Sequence, residues 1–205
     1  MQTLQDFSQH RQTPLVSFVI TSYNLPGNYL KECIDHILQL SLSPTEREII
    51  LIDDGSDICP LDELTEYRDS LIYLRLKNQG VSVARNYGLR MAQGTYIQFV
   101  DGDDYLIQTP YEHCLDIARY NDPDIVVFGH TRHDKGAKNE YVTPQAVSGT
   151  EYLRTNTLHG AAWTYIFRRA IIGNLRFTPG IVYGEDEEFT PQLFLRAEKV
   201  YKTAA

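Results

Sequence analysis

Four short apolar runs, each followed by turn chemistry, constrain this chain more than any other feature. They are "LVSFVI" (15–20), "EIILIDDGSD" (48–57), "LIYLRLK" (71–77) and "TYIQFV" (95–100), and they are rich in β-branched and aromatic residues. Helical patterns lie between them. Leu30, Ile34, Ile37 and Leu38 recur at the spacing of one helix face, and "GVSVARNYGLRMAQG" (80–94) is a helical stretch bounded by glycines. "LDELTEYRDS" is read as a short helix. Strands alternating with helices predict an α/β fold, a mostly parallel sheet with helices on both faces. Near-continuous apolar strands fit burial on both sides. Further along, "YEHCLDIARY" reads as helix, "DIVVFGH" (124–130) as strand and "RHDKGAKNEYVTPQ" as a polar loop or hairpin. A helix at 150–156, an apolar piece near Trp163–Phe167, a Gly/Pro-punctuated loop at 173–184 and a helix from about Asp186 to Glu198 complete the reading. At 205 residues, 42% of them hydrophobic, the chain can bury one sizeable core.

Three of the four strands end in polar chemistry: Thr21–Ser22–Tyr23–Asn24, Asp53–Asp54–Gly55–Ser56 and Asp101–Gly102–Asp103–Asp104. Ligands of parallel α/β sheets bind beyond the carboxyl ends of the strands. Helix capping is one reading of these clusters; a ligand site along one sheet edge is the other. Asp-x-Asp sets two oxygen donors on one side of an extended chain, a donor type suited to Mg²⁺ or Mn²⁺. Mg²⁺ takes few carboxylates and fills its shell with water and phosphate, so the motif points to a metal shared with a phosphorylated ligand. Two like charges 4 Å apart cost about 4 kcal/mol at an effective dielectric of 20, so a diphosphate would need a divalent cation beside these acids. The glycine fingerprints of dinucleotide sites and P-loops are absent, as is a nucleophile elbow. His130 and His133 form H-x-x-H with no third ligand in view, which reads as a polar loop.

Net charge is −8 and the densest basic run is Arg168–Arg169, which argues against a nucleic-acid partner. Cys33, Cys59 and Cys114 are widely spaced, as thiols used as small hydrophobes in a reducing compartment would be. No apolar run approaches the ~20 residues needed to cross a bilayer. The N-terminus carries no signal-peptide core. A cytoplasmic location is expected, with peripheral association at the inner membrane face left open.

The blocks "VSFVITSYN", "IILIDDGSD", "NQGVSVARNYGLRMAQGTYIQFVDGDD" and "YGEDEEF" resemble family-2 glycosyltransferases in order and spacing, over about residues 15–200. The resemblance implies the GT-A fold and an inverting enzyme that uses a nucleotide sugar, usually with Mg²⁺ or Mn²⁺. It implies a UDP-sugar donor and a glycan or lipid-linked acceptor, in cell-surface polysaccharide synthesis. It divides the chain into an arm (1–14) and one GT-A domain (15–205), with a nucleotide-sugar half (15–104) and an acceptor and catalytic-base half (105–205). Residue by residue, Thr21 and Tyr23 match positions that hold the base, and Asp54 matches the acid that reads the uracil edge. Arg85, in "ARN", matches a nucleotide-contacting arginine, Asp101 the ribose-contacting acid and Asp103 the metal ligand. Asp186, in "GED", matches the catalytic base. Asp53 and Asp104 read as supports.

Each position has a plainer reading too. Tyr23 and Trp163 are also readable as core aromatics, Arg85 as a solvated helix residue, and Glu185 and Asp186 as acids favoured at a helix start. Gly173, Pro179, Gly180 and Gly184 make the segment before Asp186 a candidate mobile loop. The sequence ends at "EKVYKTAA", where relatives continue with more helices, so the acceptor half is expected to be incomplete. The Q-x-x-R-W motif of processive synthases is absent, which favours transfer of a single sugar. Three alternatives stand: a phosphoryl-accepting signalling domain, a sugar nucleotidyltransferase and a non-catalytic nucleotide-sugar binder.

Overall fold

The computed structural model describes residues 13–131, 142–181 and 183–205. Most of the expected arm, His133 and most of the polar stretch at 132–145 lie outside the described residues.

The predicted alternation of strands and helices holds in the first half. Strands β1 (Val16–Ser22), β2 (Arg47–Asp53), β3 (Ile72–Arg75) and β4 (Tyr96–Asp101) are joined by helices α1 (Gly27–Leu38) and α2 (Val81–Met91). They form a parallel block in the order β3-β2-β1-β4. The expected helix between β2 and β3 is instead two 3₁₀ turns, Pro60–Asp62 and Thr65–Ser70. Leu64, at φ −104° and ψ 26°, separates them, and Tyr67 turns inward to donate to Asp35 at 2.8 Å.

The second half extends the same sheet. It contains α3 (Gln108–Tyr120), β5 (Ile125–Val127), α4 (Gly149–Thr155), β6 (Tyr165–Arg168), α5 (Glu185–Phe194) and β7 (Val200–Lys202). The full order is β3-β2-β1-β4-β6-β5-β7. β6 is the apolar piece near Trp163–Phe167, and it runs antiparallel between β4 and β5. The helix expected to reach Glu198 stops at Phe194, with Pro191 inside it. Asp124 Oδ2 then accepts from the N–H groups of Glu198 and Lys199 and feeds the chain into β7, a strand the sequence reading missed.

Burial explains the layers. Successive strand side chains point to opposite faces, and both faces are covered. Phe18, Ile20, Ile49 and Leu51 join the α1 and α3 side, whereas Val19, Ile50, Ile52 and Phe99 join the α2, α4 and α5 side. Each such fully buried side chain contributes about 1.5–3 kcal/mol. Gly88 sets the spacing of α2: a Cβ there would lie 2.2 Å from Val19 Cγ1. α2 therefore lies directly on β1, and Arg85, about one turn nearer the helix N-terminus, comes to the carboxyl edge of the sheet.

Candidate active site

Sheet register brings the strand-end acids together. β1 lies between β2 and β4, with Thr21 paired to both Ile52 and Asp101, and Ser22 paired to Asp53. Thr21, Asp54 and Asp101 thus open on one edge, with half-exposed Tyr23 (52%) one residue past β1.

The two carboxylates after β2 divide their work. Asp53 is fully buried and structural. Its Oδ1 accepts from Ser56 N and Oγ, and its Oδ2 accepts from Tyr73 Oη at 3.0 Å and pairs with Arg75 at 3.3 Å. Ser56 Oγ in turn accepts from Asn24 N, which laces the first two loops together. Asp54, also buried, accepts from Gln79 N at 3.0 Å and Gly80 N at 2.7 Å, so it holds the turn that starts α2. A carboxylate has about four lone-pair sites, so two of those on Asp54 stay open.

The acid turn after β4 is built for exposure. Gly102 is buried, and a Cβ there would crowd Leu30, Leu25 and Thr21 O at 2.9–3.1 Å. Asp104 N donates to Asp101 O at 2.9 Å, and the turn presents Asp103 and Asp104 to solvent. Partial burial of its inner side, then the like charges of Asp101 and Asp103, push the Asp104 carboxyl upward although its outer side meets solvent. A cation would relieve that like-charge crowding. Among the described residues no group of three or more His, Cys, Asp or Glu side chains is arranged to hold a metal by itself. The donor set fits an oxygen-preferring ion completed by phosphate and water.

Arg85 joins these acids to the second half. Its side chain is 4% exposed. Nη2 donates to Asp101 Oδ1 at 3.2 Å, while Nη1 donates to Glu185 Oε1 at 2.9 Å and Asp186 Oδ1 at 2.5 Å. The rings of Phe99 and Phe177, in edge contact with each other, lie 5.9 and 5.4 Å from the guanidinium. Asp186 Oδ2 accepts from Ala162 N at 3.1 Å, so both its oxygens are oriented. Burial raises the Asp186 carboxyl; Arg85 and Ala162 N pull it down, and Glu185 and Asp101 push it up again.

The segment before Asp186 is more anchored than its glycines suggest. Asn86 grips the Phe177 backbone twice, at 2.8 and 3.0 Å, and Phe177 stacks on Phe189 at 3.9 Å. Pro179, Gly180, Tyr183 and Gly184 remain exposed. Gly184, in the left-handed region at φ +83°, turns the chain into α5 so that Glu185 and Asp186 head the helix. The sequence alone gives no role to Asn86 or the Ala162 N–H, and reads Glu185 only as an acid at a helix start. The available signal was Asn86 beside Arg85: about 100° apart on a helix, both can reach the second half.

A cavity of about 510 Å³ opens beside the acids, lined in part by Asp101, Asp104, Tyr105, Phe128, His130 and Trp163. Its size suits a small ligand. Trp163 stands next to the Asp186-bonded Ala162 and meets His130 edge-on at 5.3 Å. Among the described residues no helix is long and apolar enough to cross a membrane.

Comparison with known proteins agrees with this architecture. The profile of glycosyl transferase family 2 matches residues 17–176. "Uncharacterized glycosyltransferase EpsJ" of Bacillus subtilis is 35% identical over 203 residues, covering 91% of this chain and 58% of that protein. "Minor teichoic acid biosynthesis protein GgaB" of the same organism is 29% identical over 195 residues, covering 90% of this chain and 21% of that protein. The chain thus spans little more than half, or less, of these relatives' length. The structure of S. aureus TarS 1-349 in complex with UDP-GlcNAc superimposes with a TM-score of 0.74 at 22% identity, over 93% of this chain and 58% of that one. The sheet and its flanking helices are those of the GT-A fold. By the match over most of its length, the chain belongs to glycosyl transferase family 2.

Proposed function

We propose that the chain transfers a sugar, with inversion, from a UDP-sugar to a hydroxyl of a glycan or lipid-linked acceptor, in cell-surface polysaccharide synthesis. The observation that carries this reading is the convergence of Asp101 and Asp186 on Arg85 beside the exposed acid turn. The GT-A architecture and the UDP-GlcNAc complex of the TarS neighbour support the donor class. Family membership sets aside the signalling and nucleotidyltransferase alternatives.

On this reading residues 15–104 bind the donor and 105–205 carry the base and acceptor side. Thr21 and Tyr23 line the base, Asp54 accepts from the uracil N–H and Asp101 holds the ribose. Arg85 reaches the donor side through Asp101. Asp103 would hold Mg²⁺ or Mn²⁺ together with the diphosphate; when bound, such an ion supplies Lewis-acid stabilisation of the leaving charge.

The acceptor hydroxyl attacks the anomeric carbon in line as the diphosphate leaves with the bonding electron pair. Asp186 takes the hydroxyl proton on a lone pair that neither Arg85 nor Ala162 occupies. One displacement inverts the centre, so a single base suffices and no covalent nucleophile is needed. Trp163 and the cavity beside it receive the acceptor.

Calorimetry with UDP, GDP and a panel of UDP-sugars, with and without Mn²⁺, tests the reading. Metal-assisted UDP binding accompanied by UDP release from a UDP-sugar supports it. Tight UDP-sugar binding with no turnover on any acceptor would favour a non-catalytic binder.

A further inference from the structure

Arg85 is boxed in. Both hydrogens of Nη1 are engaged by Glu185 and Asp186, and Nη2 is engaged by Asp101. Phe99 and Phe177 pack side by side against it, and Phe177 is itself clamped by Asn86. The Nε–H is buried without a partner, so it does not face an open ligand site. Three of the five N–H donors of this buried guanidinium are therefore committed to carboxylates of the chain itself.

We infer that Arg85 is a positioning residue: it acts on the reaction by fixing Asp186 and tying it to Asp101, rather than by touching the nucleotide. The inference rests on the reading of Asp186 as the base. One guanidinium against three carboxylates leaves a local excess of negative charge. Its rigid planar fork holds the acids at fixed angles; a lysine ammonium is a point charge on a flexible stem. The anchoring runs through backbone as well. Gly88 seats α2 on β1, and Ala162 N holds the second Asp186 oxygen, so the base is fixed from the donor half and the acceptor half together. The groups that face Asp186 are Arg85 from α2, Asp101 from β4, Tyr165 from β6 and Glu185 from its own helix.

The test is Arg85→Lys, with three readouts. UDP affinity with Mn²⁺ is measured by calorimetry. The Asp186 carboxyl is titrated by ¹³C NMR, its signal assigned through Asp186→Asn. Transfer is split into kcat and KM for the UDP-sugar. A positioning role predicts UDP affinity and KM within about threefold of wild type and kcat lowered ~10²-fold or more, the scale of a lost or misplaced base. It also predicts an Asp186 titration moved to higher pH, because the compensating charge is no longer held against it. UDP affinity weakened tenfold or more, with the Asp186 titration unmoved, would make Arg85 a nucleotide contact and overturn the inference. If Arg85→Lys fails to fold, ¹⁵N NMR of the Arg85 guanidinium in the wild-type protein, with and without UDP and Mg²⁺, serves. A guanidinium signal unmoved by the nucleotide supports the inference, and one that shifts as it would on contact with phosphate overturns it. Failure of the base reading is separable: Asp186→Asn would then transfer normally, whatever Arg85→Lys does.

Discussion

Arg85 Nη1 lies 2.5 Å from Asp186 Oδ1, although 101 positions separate the two residues in the chain. The contact joins the half that ends its strands in acids to the half that supplies α5. Asp101 occupies the other side of the same guanidinium at 3.2 Å. Asp101 and Asp186 are therefore held in one cluster by a single guanidinium, and the proposed roles make specific demands on each member.

On the reading of Asp54 as the acid that meets the uracil edge, UDP should bind in preference to GDP. Asp54→Ala should weaken UDP binding ~10–100-fold, the worth of a charge-assisted hydrogen bond of about 1.5–3 kcal/mol. It should also loosen the start of α2, since Gln79 N and Gly80 N lose their acceptor. Calorimetry on the folded variant checks this, and equal affinity for GDP and UDP would contradict it.

Asp103→Asn should abolish the gain in UDP affinity that Mn²⁺ provides. Asp103 is exposed, and no hydrogen bond or ion pair holds it among the described residues, so unliganded stability should change by less than about 0.5 kcal/mol. Paired titrations and melting curves measure both. A variant that keeps its metal dependence rules out Asp103 as the ligand.

Asn86→Ala should cost about 2–4 kcal/mol, because the Phe177 N–H and carbonyl both lose their partner in a buried place. Thermal melting should fall by several degrees. An unchanged melting temperature would mean that stacking of Phe177 on Phe189 anchors the segment alone.

Transfer should decline on the acid side with a midpoint above that of an ordinary aspartate. The sign follows from the environment of Asp186. Burial first, then Glu185 and Asp101, raise its carboxyl, and a raised group is protonated sooner as pH falls. Only the ionised form accepts the proton, so rate is lost as pH drops through that raised value. A kcat profile flat through the same range would show that Asp186 does not limit the step.

Much of the fold is legible in the chain. β1, β2 and β4 announce themselves through β-branched and aromatic runs, and their terminal acids fall on one edge because parallel strands share a direction. β6 and β7 are less legible: at four and three residues, apolar strands look like any buried turn. Pro191 removes a hydrogen bond to the preceding turn of α5, and the helix ends three residues later, short of the expected Glu198. The candidate site was legible as a set of residues, with Thr21, Tyr23, Asp54, Arg85, Asp101, Asp103 and Asp186 named through family resemblance. Their mutual arrangement was not. Local pattern carries no information on a contact across 101 positions, and it could not show that Arg85 is buried beside Phe99 and Phe177 rather than solvated.

Turnover by Asp186→Asn tests the central claim most directly. UDP release from a panel of UDP-sugars, offered with simple alkyl glycosides as acceptors, is measured beside wild type, and the anomeric configuration of the wild-type product is read by NMR. The account predicts an inverted product, UDP and Mn²⁺ binding nearly intact in the variant, and transfer lowered ~10²–10⁴-fold, the usual worth of a positioned base. Retention at the anomeric carbon, or near-normal transfer by Asp186→Asn, would contradict it.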